Sequence, residues 1–272
     1  FLSSSFDFSC KGFNKGPTLK SLKVGGKDAH YTAYGTTLRI DLDRPLAAGA
    51  TLAIDAEWSF AVPPYGAGRM GHDGPLYEIA QWYPRMVVYD DIRGWNHEPY
   101  IGAGEFYLEY GSFDVTLTVP ATYLVAATGT LRNPEDVLTA DQRARLARAL
   151  KSDSAIAIIS AEEAADSAPR TRPTMSGTLT WHYTADSVRD FAFAAAPGMR
   201  WDASGYDGIL IETLYRPKAV PWQQANRMAR AAIKYFSEQW YKYPYSHATT
   251  VEGPVEGMEY PMLTFVPSSN DP

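Results

Sequence analysis

The chain has 272 residues, 45% of them hydrophobic and 13% aromatic, and a formal net charge of -6. The acidic balance and the scattered Lys and Arg argue against a nucleic-acid binder, which carries a basic excess or patch. One cysteine, Cys10, excludes an internal disulfide framework and a multi-cysteine metal site. No apolar run reaches the ~18 residues of a membrane span. No signal peptide is visible, and the chain starts at Phe1 rather than Met.

The first two thirds read as β-rich. Thr37 to Leu42 alternates, with Leu38, Ile40 and Leu42 on one face. Leu52, Ile54, Ala56, Trp58 and Phe60 repeat the pattern. Period-two alternation predicts strands with one buried face. Glu105 to Tyr110 alternates, slips phase at Gly111 and Ser112, and resumes from Phe113 to Val119; a glycine at a slip predicts a bulge or bend. Leu179, Trp181 and Tyr183 mark another strand. This density of strands predicts an antiparallel sandwich.

Two Gly/Pro-rich loops, 62–75 and 93–104, interrupt the strands. Thr139-Ala-Asp-Gln142 and Ser160-Ala-Glu-Glu163 are capping boxes that open helices. Residues 166–174 read as a polar loop. After about Ala203 the character changes. Gly208 to Tyr215 is strand-like, and Pro221 opens a strong helix that Pro244 ends. Its apolar positions are Ala225, Met228, Ala229, Ala232, Ile233, Phe236 and Trp240, opposite Arg227, Arg230, Lys234 and Glu238. Strands follow near Ala248 to Glu252 and Pro261 to Val266. The reading is two domains, 1–203 and 204–272.

The residues offer little self-contained chemistry. None of the five histidines pairs with another at metal-binding spacing. His97-Glu98 opens like H-E-x-x-H, but Ile101 stands where the second ligand belongs. There is no G-x-S-x-G elbow and no phosphate-binding glycine loop. Glu259 remains. It lies between turn-forming and strand-forming residues, and a fixed carboxylate suits a substrate ammonium. From the local sequence alone, a plain exposed strand-edge Glu is the default.

The stretch Thr250 to Val266, with Glu256-Gly-Met-Glu-Tyr260, resembles the G-x-M-E-N exopeptidase motif of the aminopeptidase N family of zinc metallopeptidases, the gluzincins. Gln81-Trp-Tyr-Pro-Arg-Met-Val-Val-Tyr-Asp-Asp91, the segment Glu105 to Val115, Val125-Ala-Ala-Thr-Gly129, the amphipathic helix and Tyr243-Pro-Tyr245 occur in the family's order. The match runs over roughly 20–272 and looks like the bacterial members.

The resemblance implies an N-terminal β-sandwich followed by the opening lobe of a thermolysin-like catalytic domain. It implies that Glu259 anchors the α-amine of a peptide substrate, that Gly257 and Met258 line the cleft, and that Gln81 or Tyr83 assists. Glu256 and Tyr260 depart from the motif. The family binds zinc through H-E-x-x-H and a downstream Glu, which this sequence lacks. The chain is therefore expected to be truncated at both ends and inactive alone. Zinc would be held beyond Pro272 or by a complementary fragment, which is also its expected partner. An exported protein follows by family analogy. The alternative is a non-catalytic β-sandwich binding or scaffold module that uses the aromatic loop Trp95 to Tyr100.

Overall fold

The computed structural model describes residues 16–65, 68–98, 105–165 and 171–267. Cys10, residues 99–104 of the second Gly/Pro-rich loop and residues 166–170 of the polar loop lie outside them. Strands dominate, as the alternation predicts. The chain forms two compact units, Phe1–Pro63 with Trp82–Glu109, and Pro64–Gln81 with Tyr110–Pro272. The strand Arg200–Tyr206 runs through the predicted division at 203/204.

In the first unit Thr18–Val24 pairs antiparallel with Lys27–Asp28 and Ile54–Ser59. Two short hairpins join Tyr31–Tyr34 to Thr37–Ile40, and Tyr89–Asp90 to Gly94–Trp95. The faces expected to be buried are largely open: Leu38, Leu42, Leu52 and Ile54 are exposed. Sheets of two and three strands have little area with which to cover a face. The indole of Trp58 donates to the Trp82 carbonyl at 2.8 Å, fixing one corner.

Glu105 to Tyr110 is irregular, and the strand begins at Gly111. In the second unit Gly111–Pro120 pairs with the eleven-residue strand Thr178–Val188, with a register shift between Gly111 and Phe113 where the phase slips. A four-stranded sheet has the order Leu124–Ala127, Phe193–Ala196, Leu76–Ile79, Gly71–Asp73. The six-stranded sheet has the order Ile156–Ile159, Arg200–Tyr206, Ile209–Tyr215, His247–Gly253, Leu263–Pro267, Met258–Tyr260. Both capping boxes form. The Thr139 hydroxyl and the Gln142 side chain exchange bonds with backbone N–H groups. Ser160 and Glu163 do the same at 2.8 and 3.3 Å. Among the described residues no helix is long and apolar enough to cross a membrane.

A 3-10 turn, Val220–Gln224, leads into the helix Ala225–Gln239, which ends before Pro244. The docked side is turned from the predicted one: it keeps Ala229 and Ile233 half-buried but takes in Asn226 and Arg230. Asn226 is buried, donates to the Ile211 carbonyl at 2.9 Å and accepts from the Ser204 hydroxyl at 2.6 Å. Arg230 donates to the Gly205 carbonyl at 2.9 Å. Met228, Phe236 and Trp240 are exposed instead. The sheet beneath presents carbonyls and a hydroxyl, and buried polar groups of this kind need partners that apolar side chains cannot supply.

Gly205 is where the end of the capped helix Ala140–Ala149 meets this sheet. A Cβ there would overlap the Leu150 carbonyl. Backbone cannot yield as a flexible side chain can, so Gly205→Ala is expected to cost about 3 kcal/mol or more. The urea midpoint reads this directly, and an unchanged midpoint would contradict the packing.

Candidate functional site

Glu259 lies on Met258–Tyr260, a strand too short for alternation to announce. It pairs antiparallel with Leu263–Pro267 and forms the edge of the six-stranded sheet. Pro261 and Met262 make the turn, with Met262 at φ +63°. A side chain in that conformation costs about 1–2 kcal/mol. Met262 is buried with Ala185 and Val188, flanked by Phe113 and Tyr245. Burying such a side chain contributes about 1.5–3 kcal/mol, which offsets the strain. On the other side Gly257, at φ +70°, donates to the Val255 carbonyl at 2.9 Å, and space beside it is open.

Directly paired residues share a face of a sheet. Asp202 pairs with Thr213, Thr213 with Thr250, Thr250 with Thr264, and Thr264 with Glu259. These five residues form one row across the sheet, on the face where the helix docks through Asn226. Exposure rises along the row, from buried Asp202 and Thr213 to half-buried Thr250 and Thr264 and exposed Glu259. The Glu259 carboxylate has no hydrogen-bond or ion-pair partner among the described residues. Met258, half-buried, stands beside it on the same strand.

The loop that leads to this strand rests on Glu78. Glu78 is fully buried, and its Oε2 accepts from the Val255 N–H at 2.8 Å. A Cβ on Gly253 would overlap the Glu78 carboxyl, so the carboxyl occupies the space that a side chain would need. Glu78 Oε1 is buried without a partner among the described residues. Burial pushes the Glu78 pKa up from 4.5 to about 8; Glu252 adds to the rise, while the Val255 N–H bond and Arg216 oppose it. Arg216 donates from Nε to both Glu252 oxygens, at 3.0 and 2.9 Å, and from Nη1 to Asp73. Motif and period leave this network unseen. Its signals are a Glu inside the apolar run Leu76 to Ala80 and the Glu-Gly-Pro at 252–254.

Gln81 is buried at φ +55° and donates from Nε2 to Asp190 Oδ2 at 2.7 Å; its Oε1 is buried and unpartnered among the described residues. Its amide lies beside the Tyr260 hydroxyl. Tyr260 donates to the Arg69 carbonyl at 3.3 Å, and its ring packs 5.4 Å from Phe265. Burial, then the charge of Asp190, raises the Tyr260 pKa. Side chains alternate along a strand, so Tyr260 and Gln81 meet on the face opposite Glu259. Tyr83 belongs to the first compact unit. Its ring stands edge-on to Trp82 at 5.3 Å, and its hydroxyl accepts from Arg85 at 3.1 Å. Among the described residues no three His, Cys, Asp or Glu side chains gather as a metal site. The described residues therefore do not fit a zinc centre.

No known family model matches the sequence, and no curated protein does. Solved structures match. The M1 zinc metallopeptidase of Deinococcus radiodurans aligns with 94% of this chain at 15% identity and a TM-score of 0.54. A mutant of that enzyme bound to a Tyr-Ser-Ala substrate aligns with the same TM-score of 0.54. Aminopeptidase A of Legionella pneumophila, in complex with aspartic acid, aligns with 92% of the chain at 11% identity and a TM-score of 0.55. The fold is that of the M1 zinc metallopeptidases. The chain spans 51% of the Deinococcus chain and 25% of the Legionella one.

A second carboxyl, half-buried, lies behind the row. Glu212 accepts from the Trp201 indole at 3.1 Å and the Thr249 hydroxyl at 3.0 Å, and burial raises its pKa to about 7. Both carboxyls bind protons more tightly folded than unfolded. Their contribution is therefore complete below pH 4.5 and is lost as pH rises toward 7 for Glu212 and 8 for Glu78. Between about pH 5 and 8 the Glu78 part is on the order of 2–4 kcal/mol. Glu78→Gln is expected to keep the fold, raise stability at pH 8, and leave the shallower slope of Glu212. Urea midpoints at the two pH values measure this; parallel slopes for the variant and the parent would refute it.

Proposed function

We propose that this chain is the substrate-anchoring part of a zinc-dependent aminopeptidase of the bacterial type. The observation that carries the reading is the unpartnered Glu259 carboxylate, among the described residues, on the exposed edge strand of a sheet with this fold. On this reading residues 1–203 correspond to the N-terminal β-sandwich and residues 204–272 to the opening of a thermolysin-like peptidase domain. Zinc is assigned to residues outside this chain, and the isolated chain has no peptidase activity.

The division of labour follows from the strand. An edge strand has backbone groups free to pair with an extended peptide. Glu259 takes the peptide's ammonium through charge-assisted hydrogen bonds, which are short and strong. Gly257 lets the peptide backbone approach, because nothing stands beside its Cα. Met258 supplies apolar contact. Gln81 supports the strand through Tyr260. The row geometry also gives specificity for a free amino terminus: an acetylated peptide brings no charge to Glu259.

In the protein read past Pro272 from its own gene, with zinc supplied, Glu259→Gln is expected to lower kcat/KM on substrates with a free amine by about 10–100-fold, the range for losing a hydrogen-bonded charge. Steady-state assays on free-amine and N-acetyl peptides test it. Unchanged kcat/KM in the variant, or no cleavage by the parent, sinks the reading.

A further inference from the structure

Arg172 lies in the chain between the helix Ala161–Ala165 and the strand Thr178–Val188. The sequence places it in a polar loop, where an Arg is exposed by default. It is instead 3% exposed. Its guanidinium donates from Nε to the Tyr123 carbonyl at 3.0 Å and from Nη1 to the Thr171 carbonyl. Both partners are neutral, and among the described residues no carboxylate bonds it. Burial lowers its pKa from 12.5 to about 10, with no charged neighbour contributing. The group is therefore still a cation at neutral pH. Elsewhere the fold pairs such groups: Arg216 holds Glu252 and Asp73, and Arg145 holds Glu163. Carbonyl dipoles offset part of the cost of burying a charge, and a unit of opposite charge offsets more.

Arg172 lines a cavity of about 20 Å³. On the same measure about 10–15 Å³ holds one water. The room is for one particle of water size or slightly more, which is too little for a sulfate, a phosphate or a carboxylate. Three connections make the wall. Thr122 comes from the turn before Leu124–Ala127, Thr171 and Met175 from the Arg172 segment, and Gly198 and Met199 from the turn between Phe193–Ala196 and Arg200–Tyr206. Ile159 completes it. Gly198 stands at φ +62°, and a Cβ there would come within 3.3 Å of the Ala164 carbonyl, so this turn is held tightly against the helix Ala161–Ala165.

We propose that Arg172 and this cavity bind a single small monovalent anion, a halide of the size of chloride. A water in the same place accepts the guanidinium hydrogen bonds and leaves the charge unbalanced. Chloride accepts the bonds and balances the charge. The apolar residues Ile159, Met175 and Met199 favour chloride or bromide over fluoride, because the smaller ion costs more to strip of its water. The bound anion joins the turn at Thr122, the Arg172 segment and the turn at Gly198, so its effect falls on the stability of the second compact unit. Nothing in the site draws on Glu259 or on peptidase activity.

Thermal melts at fixed ionic strength, with chloride exchanged for gluconate, read the site, since gluconate is too large to enter. Chloride at about tenfold its dissociation constant is expected to raise the melting temperature by roughly 3–6 °C over gluconate. Arg172→Met, of similar length without the charge, is expected to lose that rise. A melting temperature that is the same in both salts overturns the proposal. An equal rise in the variant does so too, because it marks salt acting on the protein at large. Sulfate that stabilises as well as chloride, and only when Arg172 is present, overturns the assignment to a small anion. Where the variant does not fold, crystals of the parent soaked in bromide decide. An anomalous peak within hydrogen-bond reach of the Arg172 guanidinium is expected, and a water there that bromide does not displace sinks the site.

Discussion

The Glu78 carboxyl sits in the notch left by Gly253 and takes the Val255 N–H, and the path of the chain from there to Glu259 depends on that contact. Three carboxyls, Glu78, Glu252 and Asp73, gather around one guanidinium, Arg216. Arg216 is committed to Glu252 and Asp73. A third negative charge in that buried space would have no cation of its own, and the cost of an unpaired buried charge exceeds that of a buried neutral acid. The arrangement therefore selects a protonated Glu78. Gly253 is then a packing requirement, because any side chain would displace the acid from the loop it supports.

The same logic explains the long helix. Its sequence carries an apolar side that a helical wheel assigns to the core. Its fold instead buries Asn226 and ties down Arg230, and their bonds to Ile211, Ser204 and Gly205 satisfy polar groups on the sheet. Hydrogen-bond satisfaction and apolar burial compete for the same sheet face. Satisfaction wins here because an orphaned buried carbonyl costs about 1–3 kcal/mol, and Met228 and Phe236 stay exposed.

The strands were legible where alternation is strict and the sheet is wide. Thr178–Val188 and Ile209–Tyr215 follow their patterns, and the slip at Gly111 reappears as a register shift. Both capping boxes were legible because they are local chemistry within four residues. Burial in the small sheets of the first unit was not, because alternation specifies faces and leaves open whether anything covers them. The strand around Glu259 was hidden by its length: three residues between two turns carry no period. The Glu78–Gly253 contact joins residues far apart in sequence. A Glu in an apolar run marks such a contact without naming its partner.

Tyr260 shows how a departure from a motif becomes intelligible. The resembled pattern ends in Asn, and here the position holds a buried Tyr bonded to the Arg69 carbonyl and packed on Phe265. Alternation turns it away from the face that carries Glu259. The residue thus holds the strand from beneath, together with Gln81, whose left-handed backbone and bond to Asp190 fix it in turn. On the proposed reading of Glu259 as an amine anchor, folding has already ordered the strand backbone, so a ligand has only the exposed Glu259 side chain left to order.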